Sequence, residues 1–352
     1  MPTCKRTALV ATTLAALFAL ACSDKSSTPD GASSSTPKAE AAQELTVYSG
    51  RKEALVGSLL QDFEKKHNVK LKVRYGKTAE LTALLLEEGK ASPAALFLAQ
   101  DAGALGALEQ KGALQKLDDD VLNLVPAMYR SPKGTWVGVT GRARTLVYNT
   151  AKMKAEDVPS SVFDLTDPKW KGRLGWAPSN GSFQAFVTGM RVLVGEEKTQ
   201  AWLEGVKKNE PKVYPKNTPI VRAAADGDID VGLVNHYYLY RFLKDDPKFP
   251  AKNAYTKAGD PGSLVNVSGV GILASAQPAQ QKLAKELAQF MLGKDAQAHF
   301  AKNTFEYPLV DGVQGPAGLP ALKDRQPPKL DLASLHDLQG TLKLLQKVGA
   351  LP

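Results

Sequence analysis

DGDIDVGLVNHYYLYRFLKDD, residues 226 to 246, carries an apolar run from Asp230 to Val234, then Asn235 and His236, then two adjacent tyrosines, Tyr237 and Tyr238, followed by a helix-like segment. Successive strand residues point to opposite faces, so neighbouring phenols can serve one ligand only if the strand ends there and the chain turns. RLGWAPSNGSFQAFVTGMRVLVG, residues 173 to 195, follows the same plan of strand, polar small-residue turn and helix. In both segments the polar residues stand where strand gives way to helix. Open α/β sheets bind ligands beyond the carboxyl ends of their strands, where helix N-termini offer unpaired N–H groups. These two junctions are therefore expected to face a binding cleft.

The plan extends outward along the chain. ELTVYSG (44 to 50) reads as a strand before a helical segment over 51 to 67, and LKVRYG (71 to 76) precedes the helix-spaced TAELTALLLEEG (78 to 89). AALFLAQDAG (94 to 103) reads as a buried strand leading into a small-residue helix, and the alternation predicts open, mostly parallel sheets. TWVGVTGRARTLVYN (135 to 149) is strand-rich with a basic turn in its middle, and Pro159, Asp167-Pro168 and Lys171-Gly172 punctuate the start of a second lobe. SLVNVSGVGILASAQPAQQKLAKELAQFML (263 to 292) reads as a strand re-entering the first lobe, then an amphipathic helix. The expected fold is α/β, with two open domains joined by hinge strands around a cleft. Lobe 1 is expected over 44–142 plus 268–305, and lobe 2 over 143–267 plus 306–352 with a C-terminal tail.

The first residues belong to neither lobe. MPTCKRTALVATTLAALFALAC opens with Lys5 and Arg6 and continues through an apolar run to small residues before a cysteine, the pattern of an export signal over 1–21. Residues 22–43 are rich in Ser, Thr, Pro and Ala, have almost no large apolar side chains, and read as a disordered tether. The only other cysteine, Cys4, lies inside the signal, so the exported body has no thiol for a disulfide, a thiolate metal site or a nucleophile. The 352-residue chain carries a formal charge of +9, and losing Lys5 and Arg6 leaves +7. Its cations are scattered among acids without a basic block, which argues against nucleic-acid binding.

A phenol is neutral and weakly coordinating at neutral pH, but a highly charged cation favours the tyrosinate and displaces its proton. Oxygen donors suit hard cations, which makes ferric iron the natural candidate for Tyr237 and Tyr238. The alternative is ordinary packing, the reading favoured for Tyr240, while His236 reads as a hydrogen-bonded surface or hinge residue. No histidine stands in an HxxxH or HExxH spacing, and there is no GxSxG elbow, so a secreted hydrolase is a poor rival.

The segments LTVYSGR (45 to 51), RYGKTAEL (74 to 81), FLAQDAGALGAL (97 to 108), WVGVTGRAR (136 to 144), DLTDPKWKGRLGWAPSNGSF (164 to 183), YPKNTPIVRAAADGDIDVGLVNHYY (214 to 238) and FEYPL (305 to 309) occur in one order. Together they resemble the ferric-ion-binding periplasmic proteins of ABC transporters, a branch of the class II substrate-binding proteins. Phe18-Ala19-Leu20-Ala21-Cys22 likewise resembles a bacterial lipobox, which implies lipidation of Cys22; ordinary secretion is the alternative. The family resemblance implies that Tyr237 and Tyr238 are iron ligands and that no reaction is catalysed. Other ligand positions depart from the family: Arg51-Lys52 and Ala99 stand where many members have a histidine and a glutamate, and Ser182 stands near a third tyrosine.

Two tyrosinates leave an octahedral ferric ion unsaturated, so a synergistic anion such as carbonate or bicarbonate is expected, as in some relatives. Arg51, Arg142 and the helix start at Asn180, Gly181 and Ser182 offer groups for it. Gln100, Asn217 and Asn235 match anion-contacting positions of relatives. If the segment is extended, only one of Arg142 and Arg144 is expected to face the cleft, and Arg142 is favoured for its glycine-flanked turn. The expected protein is a monomeric, lipid-anchored periplasmic receptor delivering ferric iron to an ABC permease. The rival with the same fold is a receptor for an organic or phosphonate anion that has lost iron binding.

Overall fold

The computed structural model describes residues 43–352. The export signal 1–21, Cys22 and the expected tether up to residue 42 lie outside the described residues, whereas Gln43, expected in the tether, already opens the first strand.

Each alternating run forms its strand, and each 3.6-spaced run covers a sheet face. In chain order these are β1 (Gln43–Ser49), α1 (Glu53–His67), β2 (Val69–Tyr75), α2 (Thr78–Glu88), β3 (Leu96–Ala99), α3 (Ala102–Gln110) and the short α4 (Asp119–Leu122). β1 pairs parallel with β2 and β3, giving the half-sheet of the first lobe. The next strand, β4 (Trp136–Asn149), is buried along its whole length. No turn interrupts it at the basic residues. Gly141, which the sequence reading put in a turn, instead lets Tyr307, Leu309 and Val265 pack close over the strand; a Cβ there would lie 3.2–3.4 Å from their side chains.

The second lobe follows as β5 (Leu174–Trp176), α5 (Gly181–Val194), α6 (Glu196–Lys208), β6 (Lys212–Val213), α7 (Asn217–Asp226), β7 (Val231–Asn235), α8 (Tyr237–Asp245) and β8 (Ala251–Ala254). The chain returns through β9 (Val265–Ile272), α9 (Pro278–Leu292), α10 (Lys294–Asn303), β10 (Tyr307–Pro308) and finally α11 (Leu338–Lys347). The strand order is β2-β1-β3-β9-β4-β7-β5-β6, with β8 and β10 also pairing with β4. β4 unites the halves: residues 136–143 pair with β9, and 144–148 with β7. The flanks are parallel as the alternating pattern predicts, but every pairing of β4 and β9 is antiparallel: β4 runs out of the first lobe and β9 runs back into it.

One apolar cluster gathers β1, β3, β9, α1, α3 and α9, with Phe63, Phe97 and Trp136 at its centre. Another joins α5, α6 and α11 through an edge-to-face chain from Trp176 to Phe183, Phe186 and Trp202, with ring centroids 5.6–6.0 Å apart. A smaller one lies under α7 and α8. These clusters move two expected boundaries. All of β9, from Val265, pairs and packs with the first lobe. Of the expected second-lobe segment 306–352, Tyr307, Leu309, Leu332, Ala333 and Leu335 bury in the first lobe's core, and α11 onward packs on the second. Sequence reading divided the chain by its strands; the tail crosses by side-chain burial without a strand to mark it.

Candidate functional site

β7 ends at Asn235, and His236 already has helical φ −53° and ψ −42°, so Tyr237 and Tyr238 open α8 instead of extending a strand. Their rings stack with centroids 4.4 Å apart and planes 29° from parallel. Three and four residues on, Arg241 lies 5.1 and 5.2 Å from the two ring centres and holds the pair from one side. Burial and the neighbouring Tyr237 push the Tyr238 phenol well above its ordinary pKa, against the pull of Arg241 and Arg142. Tyr238 is thus protonated until a cation drives the proton off.

His236 is fully buried and is not a surface residue. Its Nδ1 accepts the Ala143 N–H at 3.1 Å, which leaves Nε2 to donate to the Phe305 carbonyl at 2.8 Å. Burial lowers its pKa to about 4, so it is neutral at physiological pH and ties α8 to both β4 and the chain ahead of β10. Tyr240 packs half-buried and donates its hydroxyl to the Gly318 carbonyl at 3.1 Å.

Between the lobes lies a cavity of about 780 Å³, lined from the candidate set by Arg51, Gln100, Arg142, Gly181, Ser182 and Asn235. Arg144 also lines it, which corrects the expectation that one arginine alone would face the cleft. The physical reason is strand period: residues two apart on an unbroken β4 share a face. Tyr237, Tyr238, Asn180 and Asn217 are not among the lining residues. Arg144, in the cavity wall, is close enough to both tyrosines for a negative charge on either to favour its cationic form.

Arg142 and Arg144 are each 3% exposed. Arg142 donates to the carbonyl oxygens of Gln100 and Val267. Arg144 donates to Asn235 Oδ1 at 3.2 Å and the Leu233 carbonyl at 2.9 Å, and lies over Phe183 and Phe186. The Nε of both guanidinium groups has no partner, and no carboxylate forms a salt bridge with either among the described residues. Burial depresses Arg144 to about 9, with Tyr237 and Tyr238 opposing the shift. Each of these two buried cations therefore keeps an unspent N–H group.

Arg51 is a different case, and its expected anion role is corrected. Its Nη2 donates to both carboxylate oxygens of Glu306, at 2.8 and 2.9 Å, with both side chains within 2% of complete burial. Glu306 also accepts from Thr140 Oγ1 at 2.7 Å. Burial alone would raise its pKa, but Arg51 and Arg142 outweigh that and hold the carboxyl below its ordinary value. The charge of Arg51 is therefore spent inside the protein. Sequence reading missed Glu306, whose only signal was its place in the FEYPL segment. It also missed Asp101, which caps α3 by accepting the Ala104 N–H and is raised in pKa by burial despite nearby Arg142.

The amide residues form a brace. Asn180 caps α5, its Oδ1 accepting the Ser182 N–H at 3.1 Å, the Ser182 hydroxyl at 2.6 Å and Asn217 Nδ2 at 3.1 Å. Asn217 Oδ1 in turn accepts the Asn235 N–H at 2.9 Å. Asn180 and Asn217 thus lock two helix starts to the end of β7 and do not line the cavity, while Ser182, Asn235, Gly181 and Gln100 border it.

Two α/β lobes around an interlobe cavity with buried arginines in its wall define a ligand-capturing receptor. The model of the bacterial extracellular solute-binding protein family matches residues 91–334, and the chain belongs to this non-enzymatic, solute-binding family. A Serratia marcescens Fe(3+)-binding periplasmic protein is 34% identical over 316 residues, covering 89% of this chain and 92% of that protein. Iron-bound HitA from Pseudomonas aeruginosa superposes with a TM-score of 0.80 at 33% identity, covering 87% of this chain and 99% of HitA. A Trichodesmium protein in complex with iron and citrate gives a TM-score of 0.75 at 28% identity, covering 87% and 99%.

Proposed function

We propose that this chain captures ferric iron in the periplasm, with Tyr237 and Tyr238 as tyrosinate ligands, and delivers it to an ABC permease. The iron-binding names of its relatives agree with this reading. The observation that carries it is the stacked phenol pair at the start of α8 beside the carboxylate-free guanidinium of Arg144. Ferric iron with two tyrosinates retains about one positive charge, next to two buried arginines. An anion of carbonate type, held by the free Nε groups of Arg142 and Arg144 with Ser182 and Asn235 beside it, neutralises this excess and completes the coordination. Lipidation of Cys22 would keep the receptor at the membrane as a tethered monomer.

Titration with ferric citrate in bicarbonate tests the reading: a visible tyrosinate-to-iron charge-transfer band should saturate at about one iron per chain, releasing ~2 protons per ion. Because the phenols must lose protons, affinity rises with pH. A colourless complex, or binding of organic anions in place of iron, would sink the proposal. For the anion, bicarbonate removal or Arg142→Ala should each weaken iron binding by about 10–100-fold. Indifference to both would remove the anion from the site.

A further inference from the structure

Besides β4 and the return into β9, the chain crosses between the lobes once more, near residue 336. Ahead of this point it is pressed onto α3: a Cβ on Gly106 would lie 2.2 Å from the Ala333 carbonyl oxygen, and one on Gly103 2.3 Å from that of Leu335. Only glycine permits such an approach of backbone to backbone. His336 is tied to the same helix, 2.9 Å from the amide of Gln110. Immediately afterwards the chain belongs to the other lobe. Arg191 of α5 donates to Asp337 Oδ2 at 2.9 Å, to the Asp337 carbonyl at 3.0 Å and to Thr341 Oγ1 at 3.0 Å. Thr188 and Thr341 share a hydroxyl hydrogen bond of 2.7 Å.

We infer that this strap, residues 331–341, is a third hinge that limits how far the lobes separate and so sets the rate at which cargo leaves. α3 and α5 are the helices whose starts, at Asp101 and Asn180, flank the cavity, and Leu335, His336 and Leu338 line its wall. The link between His336, anchored to α3, and Asp337, anchored to α5, is one peptide long. A rotation that moves α5 away from α3 must be absorbed there, whereas the sheet hinge alone would allow a wider opening. A looser strap enlarges the open population, and release quickens in proportion to it.

Gly106→Ala pries the strap from α3, and Arg191→Gln frees it from α5 at a half-buried position away from the tyrosines and arginines of the site. Small-angle scattering of the cargo-free protein should give a larger radius of gyration for each variant than for the wild type. Loaded with iron, variants and wild type should coincide in size and in absorption maximum, while iron release to excess chelator accelerates by about tenfold. The scattering arm does not depend on what the cleft binds; the release arm rests on the iron reading. Should Gly106→Ala fail to fold, Arg191→Gln decides alone. An unchanged radius of gyration, or a lower melting temperature with release as in the wild type, would overturn the inference.

Discussion

Replacing Tyr237 and Tyr238 together by phenylalanine is expected to abolish the visible iron band and to weaken ferric binding by far more than either single change. Losing an outer-shell partner of a metal ligand costs 10–100-fold, so losing a ligand costs at least about 100-fold, and two losses compound. The fold should survive, because the stacked rings and the Arg241 contact persist without the hydroxyls. Phenylalanine also removes the negative charge that would compensate Arg144 in the loaded state, so the variant cleft favours anions over cations. Competition against a ferric chelator, read alongside the melting temperature, separates lost ligation from lost structure. Unchanged affinity and colour in the double variant would show that the iron ligands lie elsewhere.

The second large effect falls on stability. Glu306→Gln leaves the Arg51 guanidinium buried without its carboxylate, and breaking such a pair from one side costs about 3–5 kcal/mol. Arg51→Gln made in addition should recover much of that loss, since a neutral hydrogen-bonded pair replaces an orphaned charge. The pH dependence has a definite sign. Because the folded state holds Glu306 below its ordinary pKa, its contribution is complete above about pH 4.5, the unfolded value, and fades as pH falls through the lower folded value. Urea midpoints at neutral and acid pH should therefore differ less for Glu306→Gln than for the wild type. A cost below ~1 kcal/mol at neutral pH would place the pair among weak surface bridges.

Local pattern made much of the architecture legible. The switch from the apolar run of β7 to the helical spacing of α8 put Tyr237 and Tyr238 at a junction, and the chain does turn there. The same pattern at 173–195 located the start of α5. Hidden from sequence were pairings between distant residues. Arg51 meets Glu306 across 255 positions, and nothing around either names the other. Asn180 looked like a ligand group because it stands at a helix start, and Asn217 because it matches an anion-contacting position of relatives, yet Asn217 Nδ2 donates to Asn180 Oδ1. Arg142 and Arg144 were legible in principle, since an unbroken strand puts residues two apart on one face, whereas the expectation was that an extended segment would turn only one of them to the cleft.

β4 has a consequence for the order in which the protein can be assembled. Its first half completes a sheet begun at Gln43 that cannot close until β9 arrives beyond Leu264, whereas its second half meets β7 after fewer than ninety residues. The lobe begun second is thus the first whose sheet can close as the polypeptide emerges, and the earlier one waits with an open edge. Refolding should show a fast phase reported by Trp176 and Trp202 and a slower one reported by Trp136, the delay reflecting the long excursion between β3 and its partner β9.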